Sequence, residues 1–259
     1  MEQILVGKDL SKTDLSKINL TGQDLSGANL SGKDLRKIDF TGTILRSANL
    51  SFTNLSGQDL SGMDLRGINF HNANLENADL SNITISKVIQ YSNCPSSDDI
   101  FLDSILNERC AIDLIKNEVP RTDFSNANMK GVTISPAPPY DFIHFVNFEG
   151  ADLTGVDISN IKFRACIFKG ANLSNNNINN TAFVLCDFTN AKFTESNVIG
   201  AVFHSVSFHN AKILDGNFQS TYFIDFVDFS DADLKGTLFV EPTMMGNIVL
   251  SCKNNQICN

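Results

Sequence analysis

Tryptophan is missing from the 259 residues, and histidine occurs only at His71, His144, His204 and His209. Imidazoles so few and so scattered leave little material for acid–base catalysis. There is also no nucleophile elbow, no phosphate-cradling glycine loop and no cluster with metal-ligand spacing. An enzyme is not expected, and neither a cofactor nor a metal is implied. The six cysteines include no C-x-x-C pair and fit reduced thiols better than a disulfide framework or a zinc site. No apolar run is long enough to span a membrane. The start, MEQILVGKDL, lacks the charged and apolar regions of a signal peptide, which points to a cytosol, the producing cell's or a host's. Basic residues are the minority, 20 Lys and Arg against 29 Asp and Glu for a net charge of −9. That balance excludes direct binding to a nucleic-acid backbone, where affinity comes from clustered cations, and leaves a basic partner open.

What the chain has in abundance is a period of five. From Leu5 to Ile85 every fifth residue is Leu, Phe or Ile, and from Phe148 to Phe223 the same holds with Val198 the one Val. A short piece, Phe124, Met129 and Ile134, lies between, and a six-residue step leads from Phe223 to a shifted set, Phe229, Leu234 and Phe239. Such a period matches neither a helical turn nor the alternation of a flat strand. Two places before each centre the residue is often small, as at Ala28, Ala48, Ala151 and Ala171; one place before it stands Asp or Asn; Ser or Thr and then frequently Gly follow.

If each unit makes one short side and one turn, the centre and the residue two before it point inward, and Ser, Asn, Asp and Gly serve the turns. Four units then close a coil. A single coil cannot bury its apolar side, so coils stack at about one strand spacing, roughly 4.8 Å. Residues twenty apart should therefore pile into columns: Ala151, Ala171, Ala191 and Ala211; Phe163, Phe183, Phe203 and Phe223; Phe148, Phe168, Phe188 and Phe208. The two remaining centre columns of this array are aliphatic apart from Phe193 and Phe218. Cys166 and Cys186 are also twenty apart, each two before a centre, where a free cysteine packs as a small apolar group.

The A-(D/N)-L-x-x pattern resembles the pentapeptide-repeat family over residues 3–87 and 122–250. The resemblance implies an all-β fold, a right-handed quadrilateral β-helix. The expected organisation is a first repeat array at 1–87, a helical insertion at 88–121, a second array at 122–250 with a loop at 135–144, and a C-terminal tail at 251–259. Within the insertion, Ser97 or Asp98 can cap a helix over 98–118 that Pro120 stops. Ile100, Phe101, Ile105, Ala111, Leu114 and Ile115 give that helix an apolar stripe. Three prolines between Pro136 and Pro139 break the strand pattern and predict the loop. The tail, polar and unpatterned, is expected to fray or to cap.

One surface stands out. Val184, Val202, Tyr222 and Ile224 fall at outward positions around the Phe163 to Phe223 column, with Leu185 and Leu214 near them. Contiguous exposed apolar groups mark interaction sites; equally, the helix of 98–118 or the tail could lie over them. Asp225, Asp228, Asp231 and Asp233 form an acidic ridge beside the shifted register.

Two functions follow from the resemblance. The first is a non-enzymatic protein-binding scaffold of the style found in secreted bacterial effectors, including substrate-binding portions of HECT-like ubiquitin ligases, with a host or cellular protein as partner. The second is an acidic DNA mimic that binds DNA gyrase, usually as a homodimer. The charges disfavour the second: Lys8, Lys12, Lys17, Lys33, Arg36 and Lys37 interrupt any continuous negative stripe.

Overall fold

Each unit is shaped by a local hydrogen bond that the residue before the centre dictates. The carboxylate of Asp24 accepts from the Ser26 N–H at 2.9 Å, that of Asp59 from Ser61 at 2.9 Å, and the Asn172 carboxamide oxygen from Ser174 at 3.2 Å. The chain turns its corner at the next residue, commonly Gly or Asn with positive φ, such as Gly27 at 67° and Asn175 at 58°. Those two residue types visit the left-handed region at least cost. Beyond each corner the backbone N–H groups point along the stack: Leu25 donates to Ile44 O at 2.8 Å and Leu30 to Asn49 O at 2.9 Å.

The outcome, in a computed structural model describing residues 5–85, 121–136 and 142–258, is a right-handed quadrilateral β-helix. The expected insertion helix over 98–118 lies outside the described residues. One side carries a continuous parallel ladder through Asp9, Asn29, Asn49, Asn69, Asp123, Asn147, Ile167, Asp187, Ser207, Asp228 and Val249, which amounts to eleven coils. The bridge from Asn69 to Asp123 carries the ladder directly from the first array to the second.

Most inter-coil pairings are single bridges, but several lengthen into strands. β1 (Asp79–Ile83) pairs with β2 (Thr133–Pro136). β3 (Phe142–His144), β4 (Lys162–Arg164), β5 (Ala182–Val184), β6 (Val202–His204), β7 (Tyr222–Ile224) and, after β8 (Val227–Asp228), β9 (Thr243–Met245) form a six-stranded parallel sheet in the order β3-β4-β5-β6-β7-β9. β10 (Ile248–Val249) pairs with β8. The break expected at 135–144 is narrower than its prolines imply. Ser135 and Pro136 end β2, where a missing N–H is tolerated at a strand terminus, and Phe142–His144 already belongs to the sheet. The register also adds two centres at the ends of the runs, both in phase: Ile143, five before Phe148, lies beneath Phe163, and Met244, five after Phe239, lies above Phe223.

The core is a set of columns. Phe163, Phe183, Phe203 and Phe223 stack at centroid separations of 5.2, 5.3 and 5.6 Å, with interplanar angles of 9°, 9° and 12°. Phe70, Phe124, Phe148, Phe168, Phe188, Phe208 and Phe229 form a second column spaced 4.9 to 5.4 Å apart, running past the insertion. Rings of neighbouring columns meet edge to face, as Phe183 meets Phe188 at 84°. Both geometries suit the ring quadrupole, each pair adding about 0.5–1.5 kcal/mol beyond area burial. Ala151, Ala171, Ala191 and Ala211 are all buried.

Inward residues two before a centre perform a second task. The Thr181 hydroxyl donates to Ile158 O at 2.7 Å, Ser196 to Leu173 O at 2.7 Å and Thr221 to Val198 O at 3.0 Å, in each case a carbonyl of the coil below. Cys166 and Cys186 do the same, their Sγ atoms lying 3.3 Å from Ile143 O and 3.7 Å from Phe163 O. Burial, followed by the neighbouring Cys166, pushes the Cys186 thiol well above its ordinary range. The expectation of reduced cysteines thus holds for this pair. It fails at Cys252 and Cys258, which form a disulfide with Cα atoms 5.1 Å apart. The tail folds back through a 3-10 turn at Gln256–Cys258, a reversal that spacing alone does not announce.

Candidate functional site

Along the edge where the Phe163 side meets the Phe148 side, five consecutive corners break the glycine and asparagine rule. Phe145, Ala165, Leu185, Ser205 and Asp225 hold φ of 56°, 51°, 56°, 51° and 61°. A non-glycine residue in this region costs roughly 1–2 kcal/mol, and such strain concentrates where function needs it. At its lower end the edge is closed: Phe145 is buried, with the Arg121 guanidinium 5.9 Å from its ring centroid. At its upper end it opens. The six-residue step from Phe223 to Phe229 forces one residue out of the wall, and that residue is Phe226, 63% exposed. Gly246 closes the next coil directly over this bulge; a Cβ there would come within 2.7 Å of the Asp225 Cα, at a φ of 93°.

Asp225 has a partner. Its Oδ2 lies 2.6 Å from Nε2 of His204, whose side chain is fully buried although it points to the outer side of the sheet. His204 shares its register column with Val184 below and Ile224 above. These flanking residues, expected to be exposed, are 6% and 2% accessible. In-register stacking at about one strand spacing covers the flanks of every outward side chain in such a column. The exposed surface is therefore narrower than the outward positions suggest. Leu185, Val202, Tyr222, Asp225 and Asp228 are half-buried. Val202 and Tyr222 are paired on β6 and β7, while Leu185, Ser205 and Asp225 stack along the edge.

Asp228 serves its own turn, accepting from the Ser230 N–H at 2.8 Å. Leu214 sits on the Leu153 side, away from this group. Asp231 pairs with Lys253 at 3.5 Å, and Asp233 accepts from the Asn254 side chain at 2.8 Å, so the acidic ridge is partly neutralised and spread over two sides. Sequence reasoning missed Phe226 and the burial of His204. The first was readable, since a six-residue step in a five-residue period must expel a residue. The second depends on a cross-coil contact that no periodicity encodes.

Chemically the edge offers contact rather than reaction. His204 faces one carboxylate, and His209 Nδ1 lies 2.8 Å from Ser230 Oγ one unit away, so the two histidines do not converge. Among the described residues there is no group of His, Cys, Asp and Glu able to hold a metal ion, and no helix long and apolar enough to cross a membrane.

Residues 5–42, 24–57 and 48–86 match the family description "Pentapeptide repeats (8 copies)", and residues 142–218 match "Pentapeptide repeat region". No protein of curated function matches the sequence. Among solved structures, a trypsin-treated variant of QnrB1, a plasmid-mediated fluoroquinolone resistance protein, is similar at 17% identity and a TM-score of 0.46, over 85% of this chain and 89% of that one. HetL, involved in heterocyst differentiation regulation in the cyanobacterium Nostoc, is similar at 18% identity and a TM-score of 0.26, over 89% and 82%. Period, coil and matched residues agree: the chain belongs to the pentapeptide-repeat family of generally non-catalytic scaffolds.

Proposed function

We propose that the chain is a protein-binding scaffold whose docking surface is the upper part of the strained edge: Leu185, Val202, Tyr222 and Phe226, flanked by Asp225 and Asp228. The observation that carries this reading is Phe226, an aromatic ring 63% exposed on a bulge at the head of an edge whose corners at Asp225, Ser205 and Leu185 take left-handed backbone without glycine. A solenoid whose interior is set by repetition can vary only on its outside, and a departure that costs stability there is a reason to expect a partner. The carboxylates at its margin favour a partner segment that brings an apolar side chain next to Lys or Arg. A host or cellular protein is the partner in this reading.

The DNA-mimic alternative finds no comparable support. Arg36 pairs with Asp34, and Arg46 and Arg66 both pair with Asp64, each at 2.6 Å, which neutralises the carboxylates a phosphate-like stripe would use.

The test is affinity capture with chemical crosslinking from cell extract, comparing the wild-type chain, Phe226→Asp and Val6→Asp. Val6 is a control, an exposed apolar residue of the first coil. A partner retained by wild type and Val6→Asp and lost by Phe226→Asp is expected. Equal capture by all three, or a crosslink mapping to the first array, overturns the assignment.

A further inference from the structure

The last coil ends in a way that the repeat does not. Lys253 still joins the ladder, its N–H donating to Ala232 O at 2.8 Å and its carbonyl accepting from Leu234 N–H at 3.0 Å. No apolar centre follows it. Instead the Asn255 carboxamide reaches across the top of the coil and donates to Leu234 O at 3.0 Å, which also accepts the Thr237 N–H at 3.1 Å, and to Thr237 O at 2.8 Å, a carbonyl that a further coil would otherwise satisfy. An open strand edge is a template for unwanted pairing, and solenoids need a terminating device. Asn255 supplies one. Leu238 and Val240, 53% and 36% exposed, stand beside it on the same coil.

What holds Asn255 in place is the short loop that contains it, closed by Cys252 and Cys258. Both cysteines are only half-buried, whereas the stacked pair Cys166 and Cys186 is sealed in the core as free thiols. A chain that keeps its interior cysteines reduced and places one bridge where a small thiol can reach it has the arrangement of a labile disulfide rather than of a disulfide framework.

We propose that the Cys252–Cys258 disulfide is a redox-sensitive latch, which in its oxidised form holds Asn255 over the last coil and in its reduced form releases that edge. The reductant is a small thiol. Its thiolate attacks one sulfur of the bridge, expelling the other cysteine and leaving a mixed disulfide; a second thiolate attacks the small-thiol sulfur of that mixed disulfide and expels the remaining cysteine. Two electrons and two protons pass to Cys252 and Cys258, which end as thiols, and the reductant leaves as its own disulfide. Freed of the closed loop, the turn at Gln256–Cys258 no longer fixes Asn255, and the Thr237 carbonyl opens to solvent.

Amide hydrogen exchange on the full chain, before and after dithiothreitol, tests this directly. Reduction is expected to speed exchange at Leu234 and Lys253 at least tenfold and to leave Phe188 and Phe208, three and two coils below the Lys253 level, unchanged. Reoxidation should restore the slow rates. Cys252→Ser with Cys258→Ser should match the reduced protein and ignore the reductant. Should that variant fold poorly, reversible cycling of the wild-type protein decides the question alone. Identical exchange with and without dithiothreitol, or a free-thiol count that dithiothreitol does not raise in the purified chain, overturns the latch. Neither outcome bears on the Phe226 surface, which lies on another edge.

Discussion

The two repeat arrays build the same coil from different materials. In the first, all but two of the centres from Leu5 to Leu80 are leucine, and half of the corners are glycine; in the second, Phe dominates two columns and asparagine shares the corners. Coils within the first array pair with one another through isolated bridges, while one of the two ring columns of the second coincides with an extended six-stranded sheet, along the Phe163 side. Backbone geometry is thus satisfied by either set. What differs is how much each level is tied to the next, and where the corner rule is relaxed. In the first array the relaxation places Lys12, Lys17 and Lys37 at corners without positive φ, and Ser47 and Phe52 at corners that keep it. In the second it produces the strained edge that ends at Phe226.

The comparison breaks most sharply in the core. Phe203 is fully buried, between Phe183 at 5.3 Å and Phe223 at 5.6 Å, with edge contacts to Phe188 and Phe208. Phe203→Ala should cost about 3–5 kcal/mol, whereas Leu55→Ala, equally buried but without ring partners, should fall nearer the lower end of about 2–5 kcal/mol. Equilibrium denaturation of the two variants checks the order. Equal losses would show that ring stacking adds nothing to the second array beyond volume.

The interior was the legible part. A period of five names the centres, and a period of twenty names the columns, because stacking makes the same chemical demand at every level. Ile143 and Met244, five before Phe148 and five after Phe239, were legible by the same count. The exterior was legible only where it disturbed the interior: the extra residue at Phe226 alters the step length, but the His204–Asp225 contact leaves no trace in spacing. Asn255 and the 252–258 bridge are likewise matters of a single turn, and a single turn has no repeat to announce it.

A second contrast lies in the carboxylates. In the first array Asp9, Asp14, Asp24, Asp39 and Asp59 are held below the usual carboxylate range, chiefly by a side-chain hydrogen bond and then a backbone N–H from the residue two further on. Asp34 is lowered to about 2 by the Arg36 guanidinium and backbone. At Asp64 burial works the other way and is outweighed by Arg66 and Arg46. The second array has two such groups, Asp152 and Asp157, where hydrogen bonds again outweigh burial. A group whose pKa is depressed on folding contributes stability above its unfolded value and loses it as pH falls through the folded one. Between pH of about 4 and about 2 the first array should therefore loosen before the second. Amide exchange resolved by array along an acid titration checks this, and simultaneous loosening would show that the Asx turns carry no pH-dependent share of stability.

The smallest effect sharpens the corner rule. Phe52 is the one aromatic at a first-array corner, with φ of 59° and 62% of its surface exposed, where the coils on either side place Gly32 and Asn72. Its ring meets His71 edge-on at 5.5 Å, and His71 is itself held by Ser125 at 2.8 Å, so some contact offsets the strain. Left-handed backbone costs a bulky residue about 1–2 kcal/mol, and one exposed aromatic contact returns less than that. Phe52→Gly should therefore stabilise the chain by up to about 1 kcal/mol, raising the melting temperature by about 2–4 °C. Glycine also loosens the unfolded chain, which trims the gain without reversing it. A melting temperature that falls instead would mean that the Phe52–His71 contact outweighs the backbone, and that non-glycine corners, the Phe226 edge included, are no measure of strain kept for a partner.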